Sequence, residues 1–538
     1  MPRTSEDDRE SHFGGYMKKL VLAAALFLAL GAAGAQTLVY GVSGYPTSLD
    51  AIDTTDGNSL VVSSQIAERL IDFAPGSTEL APALATSWSA NEDATVWTFK
   101  LREGVKFHDG TPFNAEAVKF NIDRVNVADN PYGNRAEGKT FVMWEDTFGG
   151  TIGNGNLVAD VVVVDEYTVT MNLTQPAPFL PTLWAAVYFQ FGSPDAIKAA
   201  GINYGTPNAG IVGTGPFKFV DWVEGERVTL ERNDDYWGGP AGVEGVVFRA
   251  VTEPTARLAE LQAGTIDIAV LLTSDDLPTV QNDPNLVVQV PDSELNVGYV
   301  AIHLDHAPLD NVLVRRAINH AVDRAAIVDA FYQGLGVVAE DLLPPSLFGH
   351  GEPWPYDYNP ERAKELLAEA GFPNGFDTEF WFMPVSRPYF PSPQPIAETI
   401  ATYLADVGIR AELKTEDWTT YGADYRAGKF AMYMIGWNAD YADPDNFLLT
   451  FFGPSAVGRS GWDNPEVRDL LDRARQISDQ TERAALYAQV NDMVADEAIV
   501  MPMAHNRSLA ATRSNISGWV SSPLGFSSVS LHPITKTE

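Results

Sequence analysis

The chain has 538 residues, too many for one hydrophobic core, and its 45 % hydrophobic and 11 % aromatic content marks a folded protein of two or three domains. A net charge of −35 at pH 7 argues against nucleic acid and anionic membrane surfaces as partners. With no cysteine, disulfides, thiolate metal sites, cysteine catalysis and lipid attachment through cysteine are excluded.

In chain order, Met17, Lys18 and Lys19 precede an apolar run from Leu20 to Leu30 and the small residues Gly31 to Ala35. This is the layout of a secretory signal, with cleavage expected after Ala33-Gly34-Ala35 and translation expected to start at Met17. The run is too short to span a membrane. Residues 1–35 carry four basic and four acidic residues, so the mature charge stays at −35.

Leu38 to Tyr40 is expected to be a strand running into a turn at Gly41 to Pro46, and Trp97 to Leu101 a half-exposed strand. Asn114 to Val125 reads as a helix capped by Asn114. Residues 129–156, rich in Gly and Asn, are expected to be irregular surface. Val161 to Val164 and Tyr167 to Leu173 form an expected hairpin turning at Asp165-Glu166. Short strands follow up to Phe248, then a helix over 256–263 and a strand over 266–271. From about residue 295 the pattern becomes regular α/β alternation. A long helix is expected over 312–331, and another after Asn359, with Pro360 in its first turn and Gly371 stopping it. A strand at 378–383, a helix at 395–407, a strand at 409–414, a helix near 417–427 and a strand at 430–435 come next. Such units make a parallel sheet by default, which puts the loops near Arg387 and Asp440 on one edge. Two helices, 465–477 and 481–495, and a short β-like tail close the chain.

Two loops stand out. After the apolar strand 430–435, Gly436 ends the run, and Trp437, Asn438, Asp440, Tyr441, Asp443 and Asp445 bring aromatics and carboxylates together beyond a strand's carboxyl end, where α/β proteins build ligand sites. The turn chemistry of Asp, Pro and Asn alone would also produce this composition. The other loop, Met383 to Tyr389, is too proline-rich for a helix and holds Arg387 among aromatics, a setting suited to bidentate capture of a carboxylate. An Arg stacked on Tyr389 or paired with a nearby Glu would look the same. His108-Asp109 lacks any partnering nucleophile motif and reads as a turn at Asp109-Gly110. His303 and His306 lack a neighbouring acidic pair that would make a metal triad. Gly213 to Phe217 lacks the Lys of a phosphate loop, so its glycines read as a tight turn.

Several blocks resemble the family 5 extracellular solute-binding proteins of peptide ABC importers. They are residues 80–120 (LAPALATSWSANEDATVWTFKLREGVKFHDGTPFNAEAVKF), 213–222 (GTGPFKFVDW), 308–336 (PLDNVLVRRAINHAVDRAAIVDAFYQGLG) and 358–372 (YNPERAKELLAEAGF). Residues 295–300 (LNVGYV), 383–389 (MPVSRPY) and 435–447 (IGWNADYADPDNF) are most similar to the family's dipeptide-binding members. The resemblance implies an α/β, two-lobed fold of the type II periplasmic-binding-protein kind with an extra subdomain in the first lobe. The implied division is a leader and signal over 1–35, lobe I over 36–292 with its subdomain at 77–208, lobe II over 293–504, and a return to lobe I over 505–538. It also implies a short peptide ligand, most simply a dipeptide, held at its carboxylate by Arg387 and at its α-ammonium by Asp440. Trp437, Gly436, Met383 and Tyr389 are implied around them, and Gly44 and Tyr45 fall where the first strand's loop departs from the relatives. No catalytic residue, metal or cofactor is expected. The implied partners are the membrane subunits of an ABC permease, with the protein a periplasmic or otherwise extracytoplasmic monomer. Oligopeptides, glutathione or another solute are alternative ligands, and a secreted hydrolase is the alternative of a different class.

Overall fold

The computed structural model describes residues 37–537. The expected signal segment and cleavage point lie outside them. Among the described residues, no helix is long and apolar enough to cross a membrane.

Two large sheets organise the chain. The first has seven strands, centred on Thr37–Val42, which pairs in parallel with Gly245–Ala250 and with Ile268–Leu272. Leu509–Arg513 returns late in the sequence to run antiparallel between Ile268–Leu272 and Leu286–Gln289. The second sheet has six strands, and Asn296–Ile302, buried at every position, lies at its middle between Met432–Asn438 and Val500–Asn506. The chain therefore crosses between the sheets twice, over residues 290–295 and again over 507–508. A third, four-stranded antiparallel sheet carries Ala85–Ala90, Val96–Leu101, Val158–Asp165 and Thr168–Leu173. It has its own core, which includes Phe99, Phe113, Trp144, Phe148 and Trp184. This is a two-lobed α/β fold with a subdomain on the first lobe. The ends of the described chain meet in that lobe, where Lys536 Nζ donates to the Thr37 carbonyl (3.1 Å) and to the Asp267 carboxylate (2.8 Å).

Local signals in the sequence act where they are expected. Asn114 caps Ala115–Asn126 by accepting from the Ala117 amide (3.0 Å), and Asn359 caps Pro360–Glu369 by accepting from Arg362 (3.0 Å). Gly371, at φ +94°, takes the left-handed conformation that ends the latter helix. The Asp109-Gly110 turn is also present, and the expected hairpin forms with its turn at 166–167, one residue later than Asp165-Glu166, because Asp165 is still in the strand.

Other expectations need correction. The long helix over 312–331 is two helices, Val312–Ala321 and Arg324–Tyr332, because Val322 is extended and Asp323 caps the second one afresh. Residues 129–156 contain the helix Val142–Phe148, whose Trp144 and Phe148 stack at 4.3 Å in the subdomain core. Gly and Asn in the flanking turns masked its apolar face. The second sheet is mixed: Met432–Asn438 is parallel to Phe376–Trp381 but antiparallel to Asn296–Ile302. Gly436 does not end its strand, which runs on to Asn438. Gly213 and Gly215 lie against the backbone of Gln65 to Ala67, so close approach rather than a positive φ requires glycine there.

Candidate ligand-binding site

Phe376–Trp381 and Met432–Asn438 are neighbouring parallel strands, so the loops that follow them leave one edge of the second sheet. Those loops carry Arg387 and Asp440.

The Asp440 loop is built around Asn446. Asn446 Oδ1 accepts from the Asp440 amide (2.9 Å) and from the Trp437 indole N–H (3.0 Å), while Nδ2 donates to Asp440 Oδ2 (3.2 Å). One buried amide thus fixes both candidate residues. The two other carboxylates of the loop are committed to structure. Asp443 takes a bidentate pair from Arg483 (both contacts 2.8 Å), and Asp445, fully buried, faces Arg475 at 3.3 Å. Among the described residues, Asp440 has no cation within ion-pair distance. Burial pushes its carboxyl up to about 7, against the lowering pull of hydrogen bonds from Asn446 and from the Tyr188 hydroxyl. Tyr188 belongs to the subdomain, so the cleft is closed across this point, and burial beside Asp440 raises the Tyr188 phenol as well.

Arg387 begins a tight turn in which its amide donates to the Phe390 carbonyl (3.1 Å) and the Phe390 amide returns the bond (3.0 Å). Its guanidinium lies 4.4 Å from the Trp418 ring centre, not on Tyr389, and no carboxylate pairs with it among the described residues. A cavity beside it is shared by Ser386 and Pro388, by Leu271 and Ser274 of the first lobe, and by Asn506 and Ser508 at a lobe crossing. Leu271 sits at φ +50°, rare for a branched side chain, and its carbonyl is held by the buried Arg257 (2.6 Å).

The remaining candidates divide. Tyr389 is buried, its carbonyl accepts from the Tyr332 hydroxyl (3.0 Å), and its ring packs over Gly436 closely enough that any side chain there would collide with it. The pair locks the Arg387 turn onto the strand that leads to Asp440. Trp437 is half-buried and positions the loop through Asn446. Met383 is fully buried among lobe II core residues and has no surface to offer a ligand in this conformation. Gly44 packs against Asn58, and Tyr45 is 47 % exposed beyond the first strand. Among the described residues, no hydrogen bond or ion pair ties either to Asp440 or Arg387. His108 Nε2 donates to the Gly215 carbonyl (2.9 Å) and burial lowers its ring to about 4, while His303 and His306 donate to the carbonyls of Gly458 and Gly428. All three are structural. No cluster of potential metal ligands occurs among the described residues.

Sequence reasoning missed Asn446 and Tyr188. Asn446 looked like part of the Asp-Pro-Asp-Asn turn, and Tyr188 lies far away in the chain with no motif around it.

Two lobes joined by two crossing segments, with a cation and an anion that are both unpaired among the described residues on adjacent loops, define the class of solute-binding proteins that close on a ligand. The family described as bacterial extracellular solute-binding proteins, family 5, matches residues 79–459, and the chain belongs to it. It is 36 % identical to heme-binding protein A of Haemophilus influenzae, over 91 % of each chain. It is 34 % identical to the dipeptide-binding protein of Escherichia coli, over 95 % of this chain and 96 % of that one. The crystal structure of the dipeptide-binding protein of Pseudoalteromonas sp. SM9913 with Met-Leu matches 93 % of this chain and all of that one, with a TM-score of 0.84 at 29 % identity.

Proposed function

We propose that the protein captures short peptides, foremost dipeptides, outside the cytoplasm and presents them to the membrane subunits of an ABC-type importer without chemically changing them. The observation that carries this reading is the pairing of opposite, uncompensated charges at the site. Among the described residues, Asp440 is a desolvated carboxylate with hydrogen-bond donors but no cation, and Arg387 is a guanidinium with an aromatic platform but no anion. A zwitterion supplies both partners at once: its ammonium to Asp440 and its carboxylate to Arg387. The names of the relatives support the peptide class. A haem reading, suggested by another relative's name, gives Arg387 a propionate but leaves Asp440 without a partner. The relatives are named as binding proteins, which favours capture over a hydrolase reading.

The test is calorimetry on ligand-stripped protein with a dipeptide, its N-acetylated and C-amidated forms, a series of longer peptides, and haem. The free dipeptide is expected to bind, and each blocked form to bind far more weakly because one end charge is lost. Equal binding of blocked and free forms overturns the zwitterion reading. Haem binding that Asp440→Asn leaves untouched replaces it. Native mass spectrometry of the purified protein checks that it is a monomer and identifies any ligand it retains. N-terminal sequencing of protein from the cell envelope is expected to begin at or near Gln36.

A further inference from the structure

The loop that carries Asp440 continues across the cleft. Every other buried member of the subdomain core lies within residues 51–191, yet Tyr441 of the second lobe belongs to it and is only 5 % exposed. Its hydroxyl donates to Asp445 Oδ2 (3.1 Å), and Asp445 faces Arg475. Arg475 in turn donates from Nη2 to the carbonyl of Thr147 (3.0 Å), in the last turn of the subdomain helix Val142–Phe148. Phe179 of the subdomain presents its ring to two lobe II guanidiniums, Arg475 at 5.5 Å and Arg483 at 5.1 Å. Arg483 is held from behind by Asp443 and by the Ala474 carbonyl (3.0 Å).

We propose that Tyr441, Arg475 and Asp445 form a ligand-independent clasp that docks the second lobe on the subdomain, and that Tyr441 and Arg475 are thereby positioning residues for Asp440. The ring supplies apolar burial, the guanidinium a directional bond to a helix end, and the buried carboxylate ties the two together. Asp440 precedes Tyr441 directly, so a seated ring fixes where its carboxylate points. When the lobes part, either the ring leaves the subdomain core or the subdomain moves with the second lobe. In the first case closure and positioning of Asp440 are one event; in the second the clasp keeps Asp440 positioned while the cleft opens. The docking does not depend on what the ligand is; only its effect on affinity rests on the peptide reading.

The absence of native cysteines allows dye labels at introduced ones, Val164→Cys in the subdomain and Glu412→Cys in lobe II, both exposed. Single-molecule energy transfer then reports the distance between the two bodies in the full chain. Without ligand, the parent is expected to populate a short-distance state, and Tyr441→Ala and Arg475→Gln to reduce that population at least about fivefold. Tyr441→Phe, which keeps the ring, is expected to retain most of it. With the dipeptide Ala-Ala, both disrupting variants are expected to show faster dissociation with little change in association rate. Should Tyr441→Ala fail to fold, Arg475→Gln carries the test. Unchanged ligand-free distances in the disrupting variants, or no short-distance state in the ligand-free parent, overturn the clasp. If distances shift as expected but Ala-Ala does not bind the parent, the clasp stands and the peptide reading falls.

Discussion

If Asp440 meets a ligand's ammonium, binding must depend on pH in a calculable way. In the ligand-free cleft its carboxyl lies at about 7, roughly three units above the ordinary carboxylate value. Only the ionised form can pair with an ammonium. Affinity for a dipeptide should therefore fall by up to about tenfold per pH unit below 7, and by about 50-fold between pH 7 and pH 5. The peptide's own termini change little across this window, since its amine stays protonated and its carboxylate ionised. At pH 7 about half the sites must lose a proton to bind, so titrations in buffers of different ionisation enthalpy should show release of about half a proton per ligand. Asp440→Asn should lose affinity and the pH dependence together. Its effect on stability has the opposite sign. A carboxyl whose folded pKa is raised contributes stability that is present below about pH 4 and lost as pH rises through about 7. Three units correspond to about 4 kcal/mol, an upper bound because opening of the cleft rehydrates the group. The ligand-free Asp440→Asn variant should thus melt above the parent at pH 8 and close to it at pH 4. Affinity that is flat from pH 5 to pH 7, with no proton release, refutes the placement of an ammonium at Asp440.

Three further outcomes are expected. Arg387→Ala should weaken dipeptide binding by about 2–5 kcal/mol, measured by calorimetry, while the melting point of the ligand-free protein drops only by the loss of its stack on Trp418. Asn446→Leu, similar in size but unable to bond Trp437 or Asp440, should cost about 1–3 kcal/mol in denaturant unfolding and weaken binding without touching the ligand. Arg483→Met leaves Asp443 buried and unpaired and should cost about 3–5 kcal/mol, most of it recovered when Asp443→Asn is added; failure of the double variant to recover would place the loss elsewhere.

The sequence carried the parts of the fold that local chemistry determines. Caps at Asn114 and Asn359, the glycine stop at Gly371 and the alternation of strands with helices after residue 295 each act within a few residues. What it did not carry depends on partners distant in the chain. Whether Met432–Asn438 lies beside a parallel or an antiparallel neighbour is set by Asn296–Ile302, more than a hundred residues away. Gly436 looked like a strand end because nothing nearby reveals the Tyr389 ring packed over it. In the same way, three aspartates in one loop were indistinguishable by local chemistry, and only the family resemblance singled out Asp440. Arg483 and Arg475, on later helices, commit Asp443 and Asp445 to structure and leave Asp440 alone. Met383 was legible as a member of the Arg387 segment but not as a side chain turned into the core.

The meeting of Thr37 and Lys536 in the first lobe has a mechanical consequence. Anything joined to the chain before the first described strand or after the last one grips the same body. A surface tether, an affinity handle or a fused reporter at either end therefore holds lobe I, and lobe II is left to swing as the free jaw. Attachment at both ends at once adds no strut across the hinge. The proximity also means that a short linker could join the two ends, so new termini opened in an exposed turn of lobe II would move the anchor to the other jaw without altering the cleft.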